Sequence, residues 1–403
     1  MKALVLAAAK SAKLSPFSDS RPKTMINLSG QMILERQLRM LKEAGVNEVF
    51  LVVGHKREMI QQAFHYGREL GLKIDYLVQE EQKGIGNAVA LGAKALAQEE
   101  RFLLVYGDGL MGGNNFKQLI DRVPLASKPN LATVTHPSSD GAYGNVYLSG
   151  EMLISKLVEK PEAGRFSNYI FGGAFILSPK IFDLLAQKGE DMLAVYQELI
   201  ANAEMEASLW EDSWIDITRP WHILLANQMV MRRWNETIIP ESAVIEPNVT
   251  LRGAVHLGEG VHIASGTTIV GPCYVGAGSY IGNSCLIRTF SSIGPQCTIG
   301  YGTEVKNAVL FGNSVVGRLS FIGDSVLGEH VHLGSGTMTI NHRIEGGNIT
   351  FKPADEAPLD TGLSKLGAFI GDHAVIGTGH NLAPGTWIGS GQILGDQFTF
   401  RNE

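Results

Sequence analysis

The chain has 403 residues, 44% hydrophobic and 18% charged, and a formal net charge of −6 at pH 7. That length exceeds the size at which one hydrophobic core stops growing, so two domains are expected, and the composition excludes a disordered tail. The negative balance speaks against a general nucleic-acid binder, while leaving room for a local basic pocket that takes phosphates.

The opening run, Met1 to Lys10, is too short in apolar residues for a secretory signal and lacks a cleavage region. No stretch reaches the roughly 18–20 apolar residues of a membrane span, so a cytoplasmic protein with no membrane partner is expected. The first elements then alternate. Residues 2–8 read as a buried strand, 32–44 as a helix ended by Gly45, and Glu48–Val53 as a strand closed by Gly54. A helix over 57–70 closes at Gly71, followed by a strand over 74–78, a helix over 87–98 and a strand over 101–106. This βαβαβ rhythm predicts a mostly parallel sheet with ligands at the carboxyl ends of its strands. Residues 219–239 have helical spacing around Trp221, Leu225, Met229 and Trp234 and are expected to link the domains.

From about residue 240 the period changes. Ile263, Ile269, Val275, Ile281, Ile287, Ile293, Ile299 and Val305 recur every six positions, preceded by Val249, Val255 and Val261. A shifted set reads Val309, Val315, Phe321, Leu327 and Leu333, and a last one Ile370, Ile376, Leu382, Ile388, Leu394 and Phe400. Six fits neither a helix nor ordinary strand alternation. It fits a short strand plus a turn, three of which close a triangular coil whose stacking buries one continuous core. Cys273, Cys285 and Cys297, twelve apart and each two positions before an aliphatic, then fall on different faces and are expected to be packing residues rather than a disulfide or metal set. The phase breaks over 341–365, where Gly346-Gly347, Pro353 and Pro358 mark an inserted loop.

The first half carries, in order, LVLAAAKSAKLSPFSDSRPK, QEEQKGIGNA, LLVYGD, YGNV, VEKP, FGGAF and WIDI. This series resembles the sugar-1-phosphate nucleotidyltransferases. With the hexad region it is similar to the bifunctional enzymes that uridylylate N-acetylglucosamine-1-phosphate and acetylate glucosamine-1-phosphate. The resemblance implies an α/β Rossmann-like nucleotidyltransferase domain over 1–235, including the linker helix, then a left-handed parallel β-helix over 240–403 that builds a homotrimer. It implies attack by a sugar phosphate on the α-phosphate of a nucleoside triphosphate, UTP or dTTP with a glucose-type sugar, releasing pyrophosphate. Such transfers depend on positioning and charge neutralisation.

By the same resemblance Asp108 and Asp216 hold Mg2+, and Lys23 and Lys13 neutralise phosphate. Gln79 with the Gly84-Ile85-Gly86 turn reads the nucleobase, and Gly144, Glu159, Lys160 and Gly173 contact the sugar and its phosphate. Read alone, an Asp at a strand end is a turn former and a Lys is solvated surface. The order of the motifs is what raises them.

Three departures stand out. The family loop has glycines where this chain has Ala9 and Ser11, and an arginine where it has Lys13, which keeps the charge but loses the bidentate fork. The added Cβ atoms leave binding open provided the backbone stays at φ < 0. Phe171, before Gly172-Gly173, replaces an asparagine of the sugar site. In the β-helix, Arg288, Lys306, Asn341 and Lys365 match polar positions of the acyltransferase site. Arg318 and Phe321, however, stand where the family has its histidine base and a tyrosine, and an arginine is no base near neutral pH. His342, His373 and His380 are the available substitutes. Two further readings therefore stand beside nucleotidyl transfer: a bifunctional enzyme that also uses acetyl-CoA, and a non-catalytic nucleotide-sugar sensor or assembly subunit.

Overall fold

The structure is a computed structural model that describes residues 1–137, 143–150, 152–159, 167–352 and 357–397. Its contacts divide the chain into two compact units. The first comprises Met1–Lys10, Pro22–Met25 and Ile33–Asp216, and the second comprises Ser11–Arg21, Ile26–Met32 and Ile217–Glu403.

The first unit is built on a nine-stranded sheet. Its centre is the parallel set Phe102–Tyr106, Ala3–Ala7, Glu48–Val53 and Lys73–Val78. These strands are near-continuous apolar runs because helices cover them, Leu4, Val52 and Leu104 being fully buried. The sheet is mixed rather than mostly parallel: Tyr169–Leu177 lies antiparallel to Phe102–Tyr106 and also pairs antiparallel with Asn130–Thr135. The predicted helix over 57–70 is shorter, Arg57–Phe64, because His65 leaves the helical region at φ 44. That over 87–98 starts earlier and splits into Ile85–Ala90 and Ala93–Leu96 around Gly92, which presses on Leu4. The linker segment is helical only over His222–Met231. Among the described residues no helix is long and apolar enough to cross a membrane.

The second unit is a parallel β-helix of three sheets, with eight, seven and seven strands, every neighbour pair parallel. Ile263 pairs with Ile281 and Ile281 with Ile299, so three hexads make one coil, as the left-handed hexapeptide architecture requires. All eight aliphatics from Ile263 to Val305 are fully buried in one cluster. The shifted set is off by one residue in its first three members, while Leu327 and Leu333 point inward as expected. Leu310, Val316 and Ile322 point inward, while Val315 is exposed and Phe321 half-buried, because the coils after Ile299 are a residue shorter. Val255 and Val261 occupy the position two before the inward one, and Leu257 keeps the phase.

That preceding position explains the cysteines. Thr267, Ser279, Ser291, Thr303 and Ser314 occupy it too, and their hydroxyls donate to carbonyls of the next coil, as with Thr267 to Gly282 at 2.7 Å and Ser279 to Gly294 at 2.9 Å. A thiol is a small, weak donor in the same slot: Cys285 donates to Gly300. The three cysteines, Cys273 in a strand and Cys285 and Cys297 just before one, fall on three different faces of the coil, buried and free. After Met338–Thr339 the chain leaves the coil and forms a small antiparallel hairpin, Thr350–Phe351 against Leu359–Asp360. It rejoins the coil at Phe369–Ile370.

Burial pushes the Cys273 thiol up to about 12 and the Cys297 thiol up to about 11. Thiolate is therefore scarce at pH 8. A disulfide-exchange reagent is expected to label none of the three in the native protein within minutes and all three in denaturant; rapid native labelling would contradict this packing.

Candidate active site

The site grows from the carboxyl ends of the central strands. Ala3–Ala7 runs out into Ala8 and Ala9, Lys73–Val78 into Gln79, and Phe102–Tyr106 into Gly107 and Asp108. Gly107 is needed for close approach, since a Cβ there would collide with the Leu6 carbonyl that accepts its N–H. The chain then turns back as Gly109–Met111 and pairs antiparallel with Trp214–Asp216, Asp216 opposite Gly109. This register brings together two carboxylates that are distant in sequence.

Lys23, on the short turn Lys23–Met25, closes the arrangement. Its ammonium donates to Asp108 Oδ2 at 3.0 Å and to Asp216 Oδ1 at 2.9 Å. The lysine side chain is 3% exposed, those of Asp108 and Asp216 40% and 23%. Burial alone would depress the lysine, but the two carboxylates outweigh it and raise its pKa. Asp216 is raised too, first by burial and then by the like charge of Asp108, which together exceed the pull of Lys23.

A divalent cation fits this donor set. Two carboxylates reach one point, the Lys23 ammonium. Among the described residues no group of three or more His, Cys, Asp or Glu could cage a metal. A pair of carboxylates completed by phosphate oxygens and water is the habit of Mg2+.

Beside the carboxylates lies a cleft of about 260 Å³ lined by Leu6, Ala8, Ala9, Gln79, Gln82, Gly84, Ile85, Ala88, Tyr106 and Asp108. Gln79 is buried and donates to the Gly84 carbonyl at 3.1 Å and to Asn87 Oδ1 at 2.9 Å. Gly84 adopts φ 109, open to few side chains, and a Cβ on Gly86 would strike the Glu190 carbonyl. The glycines are thus fixed by backbone conformation and packing. Ile85 is exposed in the cleft wall. Sequence reasoning missed Gln82, which donates to the Ala8 carbonyl at 2.8 Å and accepts from the Lys10 N–H at 3.3 Å, and so ties down the alanine turn. It lies inside the same QEEQKGIGNA run, so the signal was there.

The condition set for the loop holds at Ala9 and fails at Ser11, which sits in the left-handed region at φ 53. A non-glycine residue there costs roughly 1–2 kcal/mol. Lys13 is exposed and folds with the second unit. Glu159 lies over Gly144, where a Cβ would come within 2.7 Å of its carboxylate. Lys160 lies outside the described residues. Gly173, at φ 83, rests on Tyr106, and Trp214 donates to the Gly172 carbonyl at 3.2 Å. Phe171 packs its ring on Phe175 and Tyr196, whose hydroxyl meets that of Tyr106. An aromatic cluster has taken the asparagine's place.

In the β-helix, Asp324 collects Lys306 at 3.2 Å, Asn307 at 2.6 Å and Asn341. Arg288 pairs with Glu304 at 2.7 Å, and Arg318 and Lys365 are exposed. His380 is buried against the Gly395 carbonyl, His373 stacks on His330, and His342 approaches Asn341 Oδ1 at 3.3 Å. His342 alone of the three histidines contacts one of the matched polar residues.

The nucleotidyl transferase family matches residues 2–232. The chain belongs to that family. It is therefore an enzyme of nucleotidyl transfer, and a GMPPB C-terminal domain matches residues 269–355. Among similar proteins, the bifunctional protein GlmU of Methanococcus maripaludis strain C7 is 32% identical over all of this chain and 95% of its own. A bifunctional sugar-1-phosphate nucleotidylyltransferase/acetyltransferase of Sulfurisphaera tokodaii is 31% identical over 97% of this chain and 94% of its own. A putative glucose-1-phosphate thymidylyltransferase of Bacillus anthracis, crystallised with a sucrose, aligns with a TM-score of 0.54 at 16% identity. It covers 59% of this chain and 98% of its own, a likeness of fold alone.

If the ammonium of Lys23 stands where a cation can, Lys23→Ala should be destabilised by about 1–3 kcal/mol, the exposed Asp108 keeping the figure below that of a fully buried pair. Millimolar Mg2+ should raise its thermal midpoint more than that of the parent; equal shifts would count against a shared cation position. Because Asp216 titrates above the usual aspartate range, protons compete for the site. Apparent Mg2+ affinity, read by calorimetry, should fall as pH drops from about 7 to about 5.

Proposed function

We propose that the enzyme is a sugar-1-phosphate nucleotidyltransferase that joins UTP or dTTP to a glucose-type sugar-1-phosphate and releases pyrophosphate. The observation that carries this reading is the convergence of Asp108 and Asp216 on Lys23 at the mouth of the cleft. The activity named for the Sulfurisphaera tokodaii relative supports the sugar phosphate as acceptor.

In this reading the base enters between Gln79 and Ile85, and the triphosphate lies along Ala8 and Ala9. Lys23 turns from the carboxylates to the phosphates and neutralises them. Held by Asp108 and Asp216, Mg2+ would supply charge stabilisation at the α-phosphate oxygens. The sugar, set by Gly144, Glu159 and Gly173 with Lys160 at its phosphate, presents a phosphate oxygen in line with the bond to pyrophosphate.

Acyl transfer is not part of this reading, since Arg318 and Phe321 supply neither a base nor a hydroxyl. The β-helix acts in assembly. Val244, Tyr280, Val315, Val375 and Ile393 are exposed along one sheet, interleaved with His262, Thr298 and His332, a partly apolar face that supports a homotrimer. Absence of a long apolar helix among the described residues agrees with a cytoplasmic enzyme.

Pyrophosphate release, screened over nucleoside triphosphates and sugar phosphates, should find at least one productive pair. Asp108→Asn should then lower kcat by about 100-fold or more; undiminished turnover would remove Asp108 from the reaction. Thiol release from acetyl-CoA with glucosamine-1-phosphate should stay at background, and a clear rate would restore the bifunctional reading.

A further inference from the structure

Gln79 lines the cleft and is buried, and the partners of its amide all lie in the first unit. A side-chain amide has a donating end and an accepting end of nearly the same shape, so its neighbours decide which end faces where. Gln79 Nε2 donates to the Gly84 carbonyl at 3.1 Å and to Asn87 Oδ1 at 2.9 Å. A backbone carbonyl can only accept, which fixes the first contact. Asn87 is an amide too, and its orientation is set in turn: its Nδ2 donates to Glu190 Oε2 at 2.9 Å, and a carboxylate can only accept. Polarity therefore runs one way, from Gln79 through Asn87 to Glu190, and both amide hydrogens of Gln79 are used. Among the described residues no donor reaches its Oε1. What Gln79 has left for the cleft is an acceptor.

The fold holds each member of this relay in place. The Gln79 N–H donates to the Val53 carbonyl at 2.8 Å and so prolongs the pairing of Lys73–Val78 with Glu48–Val53. Asn87 lies on the short helix Ile85–Ala90, whose Gly86 packs directly on the Glu190 carbonyl. Glu190 stands between the helices Lys180–Gln187 and Met192–Ala201, and its N–H donates to the Leu185 carbonyl at 2.8 Å. Its φ of 64 is one that glycine adopts freely, as Gly189 beside it does at φ 62, but glycine has no carboxylate to give.

The bases of nucleotides differ at the ring nitrogen of their pairing edge. Uracil, thymine and guanine carry an N–H there, whereas cytosine and adenine present a lone pair. A lone pair set against Gln79 Oε1 leaves two acceptors facing each other in a buried place, and a site built to hydrogen-bond its substrate rejects such a mismatch strongly.

We propose that Asn87 and Glu190 are positioning residues that lock the Gln79 amide with its oxygen toward the cleft, so that the enzyme selects nucleotides whose base donates a ring N–H and rejects those of cytosine and adenine. This rests on the reading above in which the base enters beside Gln79, and it assigns the choice of base to two residues that do not line the cleft.

The test uses the full chain and two readouts. The first needs no nucleotide: NMR of protein labelled with nitrogen-15 at the glutamine side-chain amides, the Gln79 signal being the one lost in Gln79→Leu. In the parent the Gln79 amide hydrogens should exchange with water about ten-fold more slowly than those of the exposed Gln62 and Gln98. Exchange should speed up about ten-fold in Asn87→Leu, which removes the acceptor, and hold its parental rate in Asn87→Asp, which keeps it. Glu190→Gln offers Asn87 a donor as well as an acceptor, frees it to turn and should speed exchange too. The second readout is the ratio of kcat/KM for UTP or dTTP to that for CTP. It should fall about ten-fold in Asn87→Leu and Glu190→Gln and be kept in Asn87→Asp. General damage would lower both nucleotides alike and leave the ratio standing.

If Asn87→Leu fails to fold, Glu190→Gln decides, since its side chain is changed at an exposed position without loss of volume. Parental amide exchange in the folded variants sinks the inference, as does an unchanged ratio or a parent that prefers CTP or ATP. If the parent turns over no substrate pair, the proposed activity fails by itself, and the exchange rates still decide whether Asn87 and Glu190 hold the Gln79 amide.

Discussion

One buried ammonium between two carboxylates organises the catalytic unit. Burial alone would disfavour the charge on Lys23, and Asp108 and Asp216 alone would repel each other. Together each offsets what burial costs the other.

The geometry behind this follows from sheet construction. Carboxyl ends of parallel strands converge on one edge, and the antiparallel pair Gly109–Met111 with Trp214–Asp216 adds a carboxylate from much later in the chain. Gln37 fastens the strand end by donating to the Tyr106 and Gly109 carbonyls. Gln82 does the same for the alanine turn. Side-chain amides here take on backbone work that glycine-rich loops leave undone.

Much of this was legible in the sequence, for different reasons in each half. Hexad spacing reports directly on burial, so Ile263 through Val305 could be placed without a structure. The slip at Val309 and Val315 arose because a coil that loses one residue keeps its apolar composition while changing which residue faces in. Asp108, Asp216 and Lys23 were found through motif order; no local pattern tells that Asp216 pairs opposite Gly109. Ser11 could not be read, since a serine in the left-handed region looks like any other serine in sequence.

The short coils after Ile299 carry one more consequence. In a solenoid each rung is answerable only to its neighbours, and the corners between faces bear little of the packing. Ile299 finds Val316 although a residue is missing, and Thr339 is followed by a long excursion before Phe369 resumes the stack. Length is therefore a free variable at the corners and a fixed one along the faces. New appendages can be gained or shed at such points without renegotiating the interior, and a spool of this kind can change its attachments faster than its core.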